Sequence, residues 1–460
     1  MKKFYSIKWV FLCGFVMLAN TSIAIEILEF KRFMELVKSN HPIAKSANLK
    51  LEETDAIIRK ARGGFDPKIG FQQNGKMFGG AEYFNLIGGS VSIPTWYGIE
   101  LKGGYDRTTG MYYNPQDKTP STGLMYAGLS VSLGKGLLID ERRAILKQAQ
   151  VSGRSNERER TVILNDLLLD AGKSYWEWYA AFGYFKVYQE STQAAKRRFE
   201  AVKSSALLGD RPSIDTLEAF IQYSERLLSL KQYELDLISK RLSLSLFLWS
   251  ESSQPLMLSD TVIPMEMDDQ VAEINNAGID FQMHPLMSVY NLKIDYLRIE
   301  RSYKQEQLKP TLNLTYNPLL NAASNLGSLS TNNYKFGLTF NFPLLLRKER
   351  GDLKMTKIKL ERAALERDYK AAELRTKFNT YSNEYSITLD QLVLYTGTVN
   401  DYSNLLKAEQ SIFESGESSL FMINSRELSY ISSRLKLIDL KVKNGKAYLS
   451  SLHTLGVLAD

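Results

Sequence analysis

The chain is 460 residues long, with 44% hydrophobic residues, 58 Lys and Arg against 51 Asp and Glu, three histidines and one cysteine. Such a length ordinarily means two or three globular domains, the small and evenly spread charge excess argues against a nucleic-acid partner, and a single cysteine excludes a disulfide framework. The histidines are isolated, and neither a phosphate-binding loop nor a nucleophile elbow occurs, so neither an enzyme nor a cofactor is expected.

Lys2, Lys3 and Lys8 precede an apolar run of eleven residues, Trp9 to Ala19, followed by Ser22-Ile23-Ala24. This three-part layout is that of a secretory signal peptide over 1-24, cut after Ala24. The run is too short for a membrane helix, which takes roughly 20 residues. Cys13 follows Phe11-Leu12 rather than the small residues that precede a lipidated cysteine, so the mature chain is expected to be cysteine-free, with a net charge of 55 − 51 = +4. No later apolar stretch reaches membrane-helix length. Any membrane-embedded part must therefore be a closed β-barrel.

Next comes a helical pattern over about 26 to 62, then a strand region at about 66-134. It has a weak strand near 68 to 77, then strands at 87 to 93, 99 to 105 and 127 to 133. Ile99, Leu101 and Tyr105 face one side, and Glu100, Lys102 and Asp106 the other; charges at every second position suit a water-filled lumen. Pro94 to Gly98 is expected to turn between the middle strands. Its Trp96 and Tyr97 suit an interfacial aromatic belt or an ordinary packed turn. Helical patterns follow over 137 to 208 and about 212 to 250, then a connector, 251-269, and a further helix over about 270 to 307.

The strand region at about 310-343 alternates Leu312, Leu314 and Tyr316 with Asn313 and Thr315. Beyond a polar loop from Leu319 to Asn333, it alternates Tyr334, Phe336, Leu338 and Phe340 with Lys335, Gly337 and Thr339. Lys335 and Thr339 join Glu100, Lys102 and Asp106 as expected lumen-facing residues. Strands of about nine residues cross a bilayer when tilted. Helices over 344 to 415 and 417 to 455 complete the chain. Each 72-residue helix would run roughly 108 Å. In the last one Leu428, Ile431, Leu435, Ile438, Val442, Gly445, Leu449 and Leu452 mark a heptad seam broken only by Gly445. The same frame earlier in the chain reads Ile221, Ser224, Leu228, Lys231, Leu235, Ile238, Leu242 and Ser245.

The chain repeats itself. His41-Pro42 recurs 243 residues later as His284-Pro285; Glu141-Arg142 recurs as Glu349-Arg350 after 208, and Gly209 as Gly416 after 207. The two copies are 25-250 and 270-460, and the first holds about 36 extra residues between Pro67 and Leu133, room for one additional hairpin. Six strands are too few to close a membrane barrel, which needs about eight, so several protomers must pool theirs. A soluble alternative, a coiled-coil rod or adaptor in the periplasm without a pore, shares the helical hairpins but does not need strands of bilayer length.

The His-Pro opening of each copy, the strand starts at Pro67 and Pro310, the strand exits at Leu133-Gly134 and Phe342-Pro343, and the helix reversals at Gly209-Asp210-Arg211-Pro212-Ser213 and Gly416-Glu417-Ser418-Ser419-Leu420 occur in one order, twice. In that order the chain resembles the TolC-like outer membrane efflux family over nearly its whole mature length. The resemblance implies a mainly α fold with membrane β: duplicated long helical hairpins forming a periplasmic α-barrel, plus a transmembrane antiparallel β-barrel shared between protomers. It further implies a homotrimer in the outer membrane of a Gram-negative bacterium. Such a trimer is the passive exit duct of a tripartite efflux pump or type I secretion system, with a periplasmic adaptor (membrane fusion protein) and an inner-membrane pump or ABC exporter as partners. Family members carry four strands per protomer and twelve per barrel. Here the extra hairpin either joins the wall, giving eighteen, or folds over the surface or into the lumen, leaving twelve.

By position, the resemblance assigns the periplasmic tip and adaptor docking to Leu208, Gly209, Asp210, Ser213 and Asp215 in the first copy, and to Ser415, Gly416, Glu417, Ser418, Ser419 and Leu420 in the second. The candidate pore constriction is Phe413, Met422, Ser425 and Arg426. Some relatives close the pore with charge pairs just past the second reversal. Here no acid lies between Glu417 and Glu427. Closure is therefore expected through apolar and hydroxyl contacts around Phe413 and Met422, with opening less sensitive to pH and salt than that of an ion-paired gate.

Overall fold

A computed structural model describes residues 27–265, 281–321 and 332–459. The expected signal peptide, the end of the connector with the start of the helix after it (266–280), and most of the last inter-strand loop lie outside the described residues. In chain order the elements are β1 (Ile27–Leu28), α1 (Phe30–Asn40), α2 (Pro42–Arg62), β2 (Lys68–Phe78), β3 (Ala81–Pro94), β4 (Ile99–Thr109), β5 (Leu124–Ser132), α3 (Glu141–Leu207), α4 (Ser213–Ser245), β6 (Ile263–Pro264), α5 (Pro285–Glu306), β7 (Thr311–Asn321), β8 (Tyr334–Asn341), α6 (Arg347–Glu414) and α7 (Leu420–Leu455).

The long helices α3 and α6 have 67 and 68 residues, about 100 Å of rise each. Each carries two shorter helices end to end: α2 and α4 lie along α3, and α5 and α7 along α6, while α3 also packs on α5 and α7 and so joins the two copies. Towards the strands the helices are ordered α2-α3-α5-α6, and towards the reversals α4-α3-α7-α6. Helices α2 and α4 thus form one margin of the helical layer and α6 the other.

The helix expected over 26 to 62 is broken at His41, because a residue before proline is pushed out of the helical region. His41 is extended (φ −62°, ψ 136°), and its Nδ1 accepts a hydrogen bond of 3.2 Å from the Ile43 amide. His284 does the same for Leu286 at 3.0 Å, each with proline in the first helical turn. Burial holds both imidazoles below the ordinary histidine range. Each caps only while Nδ1 is unprotonated. The stabilisation is therefore complete above the ordinary range and lost as pH falls through the depressed values. Asparagine caps without titrating. The variant His41→Asn/His284→Asn is expected to lose less thermal stability than wild type between about pH 7 and 5; parallel melting curves for the two proteins would count against this capping account.

The largest core cluster is a girdle part-way along α3, where Phe33, Val37, Leu168, Tyr175, Trp178, Leu244 and Val262 pack together. Here β1 pairs in parallel with β6, Ile27 opposite Ile263, and the Tyr175 hydroxyl donates to the Leu28 carbonyl at 2.7 Å. This tie between the start of the described chain and the connector was not expected from local sequence pattern. The α7 seam faces inward in part: Ile431, Gly445 and Leu449 are buried. A Cβ on Gly445 would overlap the Trp176 ring, which explains why glycine interrupts the heptads. The corresponding α4 stripe behaves differently. Ile221, Leu228, Leu235, Ile238 and Leu242 are all exposed, because α4 meets α3 through another face, around Ala219, Arg226 and Leu244.

Candidate functional site

All six long strands join one antiparallel sheet in the order β2-β3-β4-β5-β7-β8, so the additional hairpin lies in the sheet itself. Over the half of the sheet nearest the helices the register gives the side chains two unlike faces. Ile69 pairs with Val91, Ile93 with Leu101, Leu101 with Leu129, Leu129 with Tyr316 and Tyr316 with Phe336, giving an apolar band across every strand. The opposite face carries Gln72, Ser90, Ser92, Glu100, Lys102, Asp106, Ser130, Asn313, Thr315, Lys335 and Thr339, with a few apolar residues such as Leu124 and Leu319 near the loop end. Its polar groups bond across strands, Ser132 to Asn313 at 2.5 Å and, at the loop end, Thr122 to Asn321 at 2.7 Å. Asp106 and Lys335 sit three strands apart yet interact electrostatically, as expected if the sheet curls with its polar face concave.

The turn between β3 and β4 is docked against the helix roots. Trp96 stacks on Phe65, just after α2, with ring centroids 4.1 Å apart, while Tyr97 projects 83% exposed. Nearby, Asp140 caps α3 by accepting from the Arg143 amide and Nε, both at 3.0 Å. Burial works against ionisation of Asp140, but these bonds and the adjacent Arg142 outweigh it and hold the carboxyl below its usual range.

At the other end of the helices the two reversals are built alike. Gly209 (φ 85°) and Gly416 (φ 84°) take the left-handed conformation, and the next amides, Asp210 and Glu417, bond back to Ser205 and Ile412 at 3.0 Å each, closing the helix ends. Around this shared scaffold the side chains differ. Phe413 packs on a cluster of Val202, Ala219, Leu406, Leu420 and Ile423, with the Arg211 guanidinium 4.2 Å above its ring. Glu409 accepts from the Ser418 hydroxyl and pairs with Arg426 at 3.8 Å. Arg198 on α3 reaches across to α7, bonding Glu427 at 2.9 Å and Asn424 at 3.0 Å, and Asn424 in turn reaches Glu218 on α4 at 3.4 Å. The Arg198 and Glu427 side chains are only 10% and 6% exposed.

Neither a protein-family model nor a characterised protein matches this sequence. Solved structures do match the fold. The CmeC outer membrane channel of Campylobacter jejuni superposes with a TM-score of 0.66 at 11% identity, over 93% of this chain and 85% of that one. The outer membrane protein VceC of Vibrio cholerae gives 0.64 at 11% identity, over 93% and 96%, and the open state of the Neisseria gonorrhoeae MtrE outer membrane channel gives 0.66 at 11%, over 93% and 88%. The chain has the TolC-like fold.

In this TolC-like fold, Glu100, Lys102, Asp106, Lys335 and Thr339 share one sheet face, as the alternation predicts. Leu208, Gly209, Asp210, Ser213 and Asp215 gather at the first reversal, and Ser415, Gly416, Glu417, Ser418, Ser419 and Leu420 at the second. Of these, Leu208 is 78% exposed, whereas Leu420 is buried in the cluster beneath. In the constriction set Phe413 is half-buried and Met422 is exposed, while Ser425 and Arg426 follow on α7. The buried pair of Arg198 and Glu427, with Asn424 and Glu218, escaped sequence reasoning. The one available signal was a break in the repeat: at the 207 offset, Arg198 corresponds to Leu405 and Glu427 to Phe220.

Proposed function

We propose that copies of this chain associate head to tail in the outer membrane of a Gram-negative bacterium and together wall a water-filled channel. It would be the passive, non-enzymatic exit duct of a tripartite efflux pump or type I secretion system. The observation that carries this reading is that each protomer is unfinished at both sides. Among the described residues its sheet ends in two edge strands, β2 and β8, each without a partner on its outer side, whose apolar residues stand open; Ile69, for instance, is 86% exposed. Unpaired edges of that kind call for a partner strand. The helical margins continue the same two edges. On α4, Ile214, Leu217, Ile221, Leu228, Leu235, Ile238 and Leu242 form an exposed heptad stripe about 42 Å long. On α6, Ile387, Leu394, Leu405 and Ile412 form another of about 38 Å. The helices run in opposite directions and both stripes begin near the reversals, so α4 of one copy fits α6 of the next. Such heterologous contacts close into a ring when the rotation between copies divides a full turn, as the curl of the sheet would provide here. With the apolar sheet face towards lipid and the polar face inward, a ring of three meets the demands of a membrane barrel.

The reversals would dock a periplasmic adaptor, which links the duct to an inner-membrane pump or ABC exporter supplying the energy. Fractionation tests the whole reading. A heat-modifiable oligomer of three chains in the outer membrane, forming conducting pores in planar bilayers, is expected; a soluble periplasmic monomer would rule the duct out. For the constriction, Met422→Ala and Phe413→Ala channels are expected to conduct more than wild type. Values no higher than wild type would remove these two residues from the gate.

A further inference from the structure

Six strands in one sheet have a consequence for the bore of the duct. Next to the strands, each protomer presents four helices side by side, α2-α3-α5-α6. At about 10 Å between axes these occupy an arc of roughly 40 Å. Six strands spaced about 4.8 Å apart and tilted about 40° occupy roughly 38 Å, whereas four would occupy only about 25 Å. The ratio does not depend on how many copies form the ring.

We propose that the additional hairpin widens the membrane barrel until it matches the helical tube. On this view, which rests on the ring described above, the duct passes from helix to strand with nearly parallel walls. For three copies the barrel has eighteen strands, β8 of one copy pairing antiparallel with β2 of the next. Its backbone diameter is then about 36 Å, one and a half times the ~24 Å of a twelve-stranded barrel at the same tilt. Three features favour this arrangement over a hairpin folded into the lumen. The strands β3 and β4 are paired on both sides, β3 with β2 and β4 with β5, along nearly their whole length. Their outward residues, among them Val91, Ile93, Ile99 and Leu101, continue the apolar band of the other four strands. Their connecting turn is fixed to the helix root by the Trp96 and Phe65 stack. The membrane section then imposes no constriction of its own, and cargo as wide as a helical hairpin, about 20 Å, passes once the reversals part.

Electron cryomicroscopy of the purified oligomer in lipid nanodiscs tests this directly. Eighteen wall strands, with β8 and β2 adjacent at each subunit boundary, are expected. A ring with only twelve wall strands would overturn the inference while leaving the duct intact; a particle with no ring would overturn both. Cysteine pairs provide a second measurement in intact cells. Gln72→Cys on β2 is combined in turn with Lys335→Cys, Gly337→Cys and Thr339→Cys on β8. At least one pair is expected to link chains covalently into a ladder ending at three, and failure of all three would overturn the β8–β2 junction.

Discussion

Replacing Arg198 with alanine is expected to destabilise the protomer by about 3–5 kcal/mol, the cost of leaving a buried charge without its partner. Glu427 is almost wholly enclosed, and Arg198 is its counter-charge at 2.9 Å. The effect should reach beyond one bond, because Arg198 also holds Asn424, and through it α3, α4 and α7 are tied together just above the reversals. Two controls separate pairing from packing. Arg198→Met/Glu427→Met removes both charges and keeps the volume, so it should recover most of the loss. Glu427→Ala alone should be about as damaging as Arg198→Ala. Loss of helical circular dichroism on heating reads all three variants against wild type. If Arg198→Ala melts with wild type, the pair contributes nothing to stability. If the double methionine variant is worse than either alanine variant, geometry rather than charge is what matters there.

The second large effect is expected at Gly445, where a leucine would complete the heptad seam of α7 by sequence logic but would collide with the Trp176 ring by structure. Overpacking a filled core typically costs 1–3 kcal/mol, and Gly445→Leu should lie at or above about 3, since both helices are fixed by their other contacts. Even Gly445→Ala should destabilise, although alanine favours a helix over glycine by about 1 kcal/mol. The opposing expectations make the measurement decisive. A stabilised Gly445→Ala protein would mean that α3 and α7 are free to separate. Trp176→Leu should relieve part of the clash, so the double variant with Gly445→Ala should be less destabilised than the sum of the single ones.

Local pattern carried much of this fold because local forces determine much of it. Proline after His41 and His284 sets helix starts, glycine at 209 and 416 sets helix ends, and period-two alternation marks strands 311–321 and 334–341. Strand β3 is longer than its pattern suggested, 81–94 rather than 87–93, because Phe84 and Leu86 on one face and Ile87 on the other break the apolar/polar alternation. What pattern could not convey was which neighbour a stripe meets. The α4 and α7 heptads share one frame, with Ser224, Lys231 and Ser245 interrupting that of α4, yet frame alone does not say that α7 turns part of its stripe onto α3 while α4 leaves its own open; only α7 is enclosed between α3 and α6. The charges above the reversals were missed for a related reason. The expectation of closure without a charge-paired latch drew only on residues 417 to 427, whereas Glu409, which pairs with Arg426, comes from the preceding helix and Arg198 from the other copy.

One joint of the sheet differs from the rest in how it must form. Strands β2 to β5 follow one another along the chain, and β7 and β8 do likewise, so each group can zip up soon after synthesis. Between β5 and β7 the partners Met125 and Leu320 are 320 − 125 = 195 residues apart. Bringing such distant segments together costs entropy that contacts local in sequence do not offset; the packing of α3 on α5 must come with it, and pairings of this kind form late. Until they do, each half exposes a strand edge of its own at this joint in addition to the outer one. Slow joining of the halves, followed by association of copies, would leave a time window in which escort proteins, rather than lipid, must cover those edges.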